Sequence, residues 1–296
     1  MKKSLLVAAA LLAAGIAQAD TLAKIKSSGA ATMGVRESSG ALSYTLGDGK
    51  FAGFHVEICQ RVLADVQKKL ALPKLDVKYQ PVTSQNRIPL VQNGTVDIEC
   101  GSTTNNATRQ KDVSFAVTTY VEEVRIAVKA SSGITSIAQL AGKKVATTTG
   151  TTSVQTLRKH ERATNVNFEE VFGKDHADSF LLLESGRADA FVMDGSILAA
   201  NIARSKNPKD FEIVGEVLSV EPIACMMPKG DEKLKKAIDA SIVRQIKDGS
   251  LAKLYDKWFM QPIPPNNVTL NMPLSASTKA AWENPNDKPM EDYGNK

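Results

Sequence analysis

The chain has 296 residues, 43% of them hydrophobic and 23% charged, with 37 Lys+Arg against 32 Asp+Glu and a formal net charge of +5. That length suits one large or two medium domains, and the charged fraction excludes a disordered polyelectrolyte and a membrane bundle. Aromatics make up 5% of the chain and are not interleaved with the basic residues, so a nucleic-acid surface is not indicated.

Residues 1–19 read MKKSLLVAAALLAAGIAQA. Lys2 and Lys3 precede an apolar run over residues 5–16, and the segment closes on the small-x-small triplet Ala17-Gln18-Ala19. This is the layout of a cleavable secretory leader, and its apolar run is shorter than the roughly 20 residues that span a bilayer. No cysteine follows the expected cut, so a lipid anchor at that point is excluded. Cleavage before Asp20 would remove two lysines and lower the formal charge from +5 to +3. The mature chain is expected to be exported and soluble.

Strand-like and helix-like segments then alternate, which is the pattern of an α/β protein with largely parallel sheets. A strand near residues 31–35 precedes a turn at Gly47-Asp48-Gly49 and an amphipathic helix over 54–70. Period-two alternation returns at 75–79, a helix follows over 86–93, and a strand over 96–100. The later half repeats the scheme, with strands at 144–147, 166–168 and 188–193 and helices over 152–160, 176–185 and 195–205. Leu90-Val-Gln-Asn-Gly94-Thr-Val96-Asp97 parallels Leu183-Glu-Ser-Gly186-Arg-Ala188-Asp189: a helix end, a glycine suited to the left-handed position, then an apolar strand opening on Asp. The parallel suggests two α/β lobes built on one unit. Helices over 231–247 and 251–259 follow, and the Pro/Asn-rich Gln261-Pro-Ile-Pro-Pro-Asn-Asn introduces a tail expected to be an extended strap without its own core.

Export would permit disulfides. Cys59 falls on the apolar stripe of the 54–70 helix and reads as a core thiol, whereas Cys100 and Cys225 each lie in a strand-like run. Their pairing would close a loop of about 125 residues, but spacing alone does not establish it. No CxxC occurs and His55, His160 and His176 are scattered, so neither a metal nor another cofactor is expected. GxxxxGK[ST], GxGxxG and GxSxG are absent, which removes the phosphate-loop, dinucleotide and common esterase signatures.

Hydroxyl residues and arginines instead cluster where open α/β sheets place ligands. The clusters are Arg36-Glu-Ser-Ser39, Thr83-Ser84-Gln-Asn-Arg87, Gly101-Ser102-Thr-Thr104-Asn-Asn106 through Arg109, Thr147-Thr-Thr149-Gly-Thr-Thr152-Ser153, and Lys174-Asp-His176 through Ser179. Those ending at Arg109 and Thr152 are expected to run into helix N-termini, where free N–H groups attract anions. Five such clusters with three arginines point to recognition of a polar anion.

These phrases resemble the periplasmic solute-binding proteins of polar amino-acid ABC transporters (solute-binding protein family 3), in particular the glutamate/aspartate-binding branch. The specific matches are Thr83-Ser-Gln-Asn-Arg-Ile-Pro-Leu90 and Glu99-Cys-Gly-Ser-Thr-Thr-Asn-Asn106, supported by Arg36-Glu-Ser-Ser39, Thr149-Gly-Thr-Thr-Ser153, Lys174-Asp-His176 and Pro262-Ile-Pro-Pro265. The resemblance implies an α/β, two-lobed periplasmic-binding-protein-like (type II) fold with two hinge strands. Lobe 1 would comprise residues 20–118 plus 223–296 and lobe 2 residues 119–222, with crossings near 118–124 and 219–223. Cys100 and Cys225 would then share lobe 1, which favours a disulfide between them.

By the same resemblance Arg109 holds a ligand α-carboxylate, helped by Thr104 and Thr152. Asp194 and the carbonyl of Ser102 receive the α-ammonium, and Arg36, Ser84, Arg87 and His176, with Thr149, hold a side-chain carboxylate. Three arginines and one aspartate suit a dicarboxylate carrying one ammonium, because unpaired buried arginines select against a neutral amide. The implied partners are L-glutamate or L-aspartate and an inner-membrane ABC permease, the implied compartment is the periplasm, and the protein is expected to be a non-enzymatic monomer without nucleic-acid partners. The competing readings pair Arg36 or Arg87 with Glu37 or Glu99, use His176 or Asp194 as helix caps, or make His176 the acid–base of an exported dehydratase of cyclic dicarboxylic acids.

Overall fold

The computed structural model describes residues 20–293, so the leader expected over 1–19 lies outside the described residues. Helix α1 (Thr21–Ser28) is capped by Asp20, whose side chain accepts from the Ala23 N–H, and ends on left-handed Gly29. Strand β1 (Ala30–Val35) is followed by the antiparallel trio β2 (Ser38–Ser39), β3 (Ser43–Gly47) and β4 (Lys50–Ala52), with the expected Gly-Asp-Gly turn between the last two. Helix α2 (Phe54–Lys69) buries Val56, Ile58, Cys59, Val62, Leu63 and Val66 as one stripe. Then come β5 (Asp76–Pro81), α3 (Arg87–Gln92), the short β6 (Ile98–Glu99) and β7 (Val113–Phe115).

Strand β8 (Tyr120–Lys129) leaves this region and starts a second one. It is built from β9 (Lys144–Thr148), α4 (Thr152–Thr164), β10 (Glu169–Gly173), α5 (His176–Glu184), β11 (Ala190–Asp194) and α6 (Gly195–Arg204). Strand β12 (Phe211–Ile223) returns to the first region, which β13 (Met226–Pro228), α7 (Glu232–Lys247), α8 (Ser250–Tyr255) and α9 (Ala276–Glu283) complete.

Two five-stranded sheets result, ordered β5-β1-β6-β13-β7 and β10-β9-β11-β8-β12. In each, a parallel portion gives way to antiparallel pairing by a strand arriving from the crossing: β13 on β6 and β7, and β8 on β11 and β12. Separate apolar cores serve the two regions; in the first, one gathers α2, α7 and α8 residues such as Leu63, Ile238 and Leu254 and a smaller one holds Val91, Val113 and Met226, while two others line the faces of the second sheet. The two lobes therefore each hold their own hydrophobic centre. Among the described residues β8 and β12 run between them, paired antiparallel from Tyr120↔Ile223 through Glu122↔Glu221 to Val124↔Ser219.

The repeated phrase is one structural unit used twice. Gly94 and Gly186 share φ +74, and the Val96 and Ala188 N–H groups donate to Leu90 and Leu182 carbonyls at 2.9 Å each. Asp97 then accepts from the Thr32 N–H at 2.8 Å, and Asp189 from the Lys144 N–H at 2.9 Å. The same left-handed turn and the same strand-bridging carboxylate thus lock a helix end to the neighbouring strand in both lobes.

Three expectations are corrected. The strand expected at 166–168 lies later, at β10, because α4 runs on to left-handed Asn165 and Phe168 is used to pack on His160 and the core. Arg109 does not open an α-helix; residues Arg109–Lys111 form a single 3-10 turn, since β7 begins at Val113. The tail is more than a strap. Ser275 caps α9 by accepting from the Thr278 N–H, and Trp282 buries itself in the first lobe's core. This tail is stitched to the crossing: the Val121 N–H donates to Thr278 Oγ1 at 3.0 Å, Trp282 Nε1 donates to the Thr119 carbonyl at 2.9 Å, and the Thr118 N–H donates to the Asn286 carbonyl at 2.9 Å.

Cys100 and Cys225 form a disulfide with a sequence separation of 125. It joins the chain just after β6 to the chain just after β12, and Cys59 remains a buried free thiol. Loop-closure entropy for a loop of this length is worth about 4–5 kcal/mol. Denaturant unfolding of the Cys100→Ser/Cys225→Ser protein should show a loss approaching that figure, with the free Cys59 unmodified until unfolding.

Candidate functional site

The site forms where the ends of both sheets face each other beside the crossing. Arg36 follows β1, Ser84 lies in the turn before α3 and Arg87 opens that helix, Ser102 and Thr104 follow β6, and Arg109 lies in its 3-10 turn. From the other lobe come Thr152 and His176, the first residues of α4 and α5, and Asp194 at the end of β11. Three contacts join the two sets: Arg36 Nη2 to His176 Nε2 at 3.2 Å, Arg109 Nη2 to the Gly150 carbonyl at 3.4 Å, and the Thr104 and Thr152 hydroxyls 3.4 Å apart.

Arg36, Arg87 and Arg109 are 1%, 2% and 9% exposed. Among the described residues the arginine ion pairs belong to Arg61, Arg125, Arg158 and Arg244, not to these three. Neither Glu37 nor Glu99 closes a salt bridge on Arg36 or Arg87. The guanidinium groups are held by neutral acceptors instead. Arg36 donates to Ser102 Oγ at 3.2 Å and Ser84 Oγ at 2.9 Å, Arg87 to the Ser102 carbonyl at 3.1 Å, and Arg109 to the Thr104 carbonyl at 2.8 Å. Arg87 Nε is buried with no acceptor. Burial first, and the neighbouring Arg87 second, lower both Arg36 and Arg109 to about 9, which still leaves them cationic at neutral pH.

Such cations need an anion, and the protein provides carboxylates only at longer range. Glu99 is buried with Thr103 Oγ1 donating to its Oε2 at 2.7 Å, while its Oε1 has no partner. A Cβ on Gly101 would lie 2.2 Å from that Oε1 and 2.6 Å from Arg36 Cγ, so only glycine lets the two side chains share this corner. Asp194 is buried at the start of α6 but makes no capping bond, and its Oδ1 has no hydrogen-bond partner. Burial, then Glu122 and Glu221, push its carboxyl well above the usual range. Glu122, opposite Glu221 on the crossing strands, is pushed up to about 7 by burial, partly offset by the Ser196 side chain and N–H that donate to it.

His176 is a neutral imidazole: burial, then Arg36 and Arg87, hold it well below its ordinary value. Because arginine can only donate, Nε2 accepts from Arg36, and Nδ1–H is left to donate to Thr148 Oγ1 at 3.0 Å. Capping of α5 falls to Asp175, which accepts from the Ala177 and Asp178 N–H groups. Ser84 Oγ, having accepted from Arg36, keeps its own proton for an anion. Thr149 stands apart, half-buried with its hydroxyl donating to the Gly173 carbonyl at 3.3 Å.

Sequence reading missed the acidic side of the site. Glu221 accepts from Thr104 Oγ1 at 2.6 Å and Thr152 Oγ1 at 2.7 Å, and Glu122 lies opposite it. A balance of three arginines against one aspartate is therefore incomplete. The available signal was a glutamate within each apolar crossing segment, Tyr120-Val-Glu122 and Glu221-Pro-Ile223. Ser39, 2.9 Å from Ser102 Oγ, and Thr148 fell inside the hydroxyl clusters without a role of their own, and here they support other site residues.

A two-lobed clamp closed over buried cations and an orphaned carboxylate oxygen defines a binding protein of the type II periplasmic architecture. Residues 31–261 match the model of the bacterial extracellular solute-binding proteins, family 3, and the chain belongs to that family. It is 43% identical to the glutamate/aspartate import solute-binding protein of Escherichia coli (strain K12) over 98% of either chain. It is also 44% identical to the L-glutamate/L-aspartate-binding protein of Pseudomonas aeruginosa, over 96% of either chain. Among solved structures, the P235GK mutant of ArgBP from T. maritima superposes with a TM-score of 0.71 at 27% identity, covering 80% of this chain and 98% of that one.

The folded-state pKa of Glu122 lies above its unfolded value, so the stability that its protonated form contributes is full at low pH and is lost as pH rises through about 7. Urea unfolding of the ligand-free protein should show wild type losing stability relative to Glu122→Gln between about pH 5 and about pH 8. A constant difference across that range would contradict the assignment.

Proposed function

We propose that this protein captures L-glutamate or L-aspartate in the periplasm and delivers it to an inner-membrane ABC permease, acting as a monomer once residues 1–19 are removed. The observation that carries this reading is the pairing of three buried arginines lacking ion pairs with the orphaned Asp194 oxygen. Only a small ligand bearing both signs, with an excess of negative groups, neutralises both at once. The names of the relatives agree with it.

In this reading Arg109 takes the α-carboxylate, Thr104 and Thr152 line the same end of the cleft with their hydroxyl protons turned to Glu221, and Asp194 takes the α-ammonium. The Ser102 carbonyl, which has a second lone pair besides the one given to Arg87, completes the ammonium site. Arg36, Arg87 and Ser84 meet the side-chain carboxylate, with His176 fixing Arg36 from the opposite lobe. Thr149 is the weakest member of the set, since its hydroxyl is turned to Gly173. Residues 20–118 plus 223–296 and residues 119–222 move as the two jaws. Ligand contacts made by both jaws favour closure by the difference in affinity for the two states. The site's many fixed donors hold a ligand without transforming it, and the family relatives are transport proteins.

Calorimetric titration should show tight binding of glutamate or aspartate and binding weaker by more than about tenfold for glutamine and asparagine. Tight binding of the amides, or none of the acids, overturns the reading. Arg109→Ala should abolish binding of every amino acid, costing about 3–5 kcal/mol, whereas Arg87→Ala should weaken the acids selectively.

Ligand binding should also release protons. An ammonium beside Asp194 draws down a carboxyl that burial holds high in the free protein, so affinity should rise as pH rises through the titration of the Asp194–Glu122 pair. Titrations in buffers of different ionisation enthalpy measure the release directly, and Asp194→Asn should remove most of it.

A further inference from the structure

Glu221 is wholly buried on β12, at the midpoint of the paired crossing strands. Its Oε2 accepts from Thr104 Oγ1 of the first lobe at 2.6 Å and from Thr152 Oγ1 of the second at 2.7 Å. Its Oε1 accepts from Ser219 Oγ at 2.8 Å, which fixes the carboxylate on its own strand. One oxygen atom therefore receives a donor from each jaw while the side chain belongs to the hinge. The same carboxylate opposes the burial cost of Arg87 and Arg109, both of which it holds towards the charged form.

We propose that Glu221 is a positioning residue for ligand binding: it ties the two jaws to the hinge in the closed state and sets the hydrogen-bond polarity of Thr104 and Thr152. A threonine hydroxyl has one proton. With both protons committed to Glu221, the two hydroxyls turn only lone pairs to the cleft. They can accept from a ligand ammonium and cannot donate to its carboxylate, which is left to Arg109. Two distinct consequences follow from this arrangement. The ends of the amino acid are told apart by an acid that need not touch it. And because Thr104 and Thr152 come from different lobes, the three-centre node is complete only when the jaws have closed, so it opposes release more than it assists capture.

The inference rests on the amino-acid-binding reading and deepens it. The test is stopped-flow and calorimetric binding of glutamate and aspartate to wild type, Glu221→Gln, Thr152→Val and the double variant, alongside thermal unfolding. Glutamine places an amide donor where one hydroxyl proton now points. Glu221→Gln should weaken binding by about tenfold or more, almost entirely through faster dissociation, with association unchanged. The double variant should bind no worse than the weaker single variant, because both break one node. Thr152→Ser, which keeps the hydroxyl, should restore wild-type release. Should Glu221→Gln fail to fold, Glu221→Asp keeps the charge, withdraws the oxygens by one methylene, and should show the same faster release. Wild-type release from a folded Glu221 variant, or losses that simply add in the double variant, overturns the proposal. Failure of wild type to bind either acid would overturn the functional reading instead.

Discussion

The burial of three guanidinium groups without a salt bridge is the constraint from which the rest of the architecture follows. An isolated buried cation is expensive, and three near one another are more so, because Arg87 disfavours the charge on both Arg36 and Arg109. The protein offsets that cost with fixed neutral acceptors, namely the Ser102 and Thr104 carbonyls and the Ser84 and Ser102 hydroxyls, and with Glu99, Asp194 and Glu221, which favour the charged form without closing a salt bridge. A direct salt bridge would have satisfied the arginines and left nothing for a ligand. Serving them incompletely keeps the charge available, in a place where removal of water makes each remaining interaction stronger.

That unsatisfied centre requires rigid walls and a movable seam. Each lobe has its own sheet and apolar core, so each can hold its share of the site as a unit. The seam is the β8–β12 ladder, which carries the opposed Glu122 and Glu221 into the centre. Around it the first lobe is reinforced from several directions. The disulfide fixes the chain just before the ligand loop to the chain just beyond the crossing, and α9 is bonded to Thr119 and Val121. His55 joins the same girdle, with Nδ1 on the Gly101 carbonyl and Nε2 on Thr119, and burial holds it down to about 4, as a neutral imidazole must be to accept from a hydroxyl. Because the family model ends at residue 261, α9 lies beyond the family's common portion.

Much of this was legible in the residue order. Period-two and period-3.6 patterning located α2, β5 and α7, and the twin glycine-to-aspartate phrases located the same turn in both lobes, because those signals depend on neighbours along the chain. The hydroxyl and arginine clusters marked the loops of the site for a similar reason: each is a short contiguous run, and helix capping such as that by Asp175 uses hydroxyls and carboxylates but gives no use for three arginines. The α9 helix escaped because the proline-rich stretch before it dominated the reading, although Ser275 supplies an ordinary cap. Arg109 was assigned a helix start that the nearby β7 leaves no room for.

By itself, then, the sequence determined the α/β alternation, the repeated unit, the family resemblance and the identity of the cationic residues, since each is encoded in local spacing or in short contiguous motifs. Which carboxylates face those cations was decided only by tertiary structure. Glu122 and Glu221 are 99 positions apart and read as ordinary charged residues until antiparallel pairing sets them opposite one another. The same holds for His176, whose role as an acceptor from Arg36 depends on contact between residues 140 apart on different lobes. Proton direction in a buried network is a property of all its members together, and no stretch of chain contains them all.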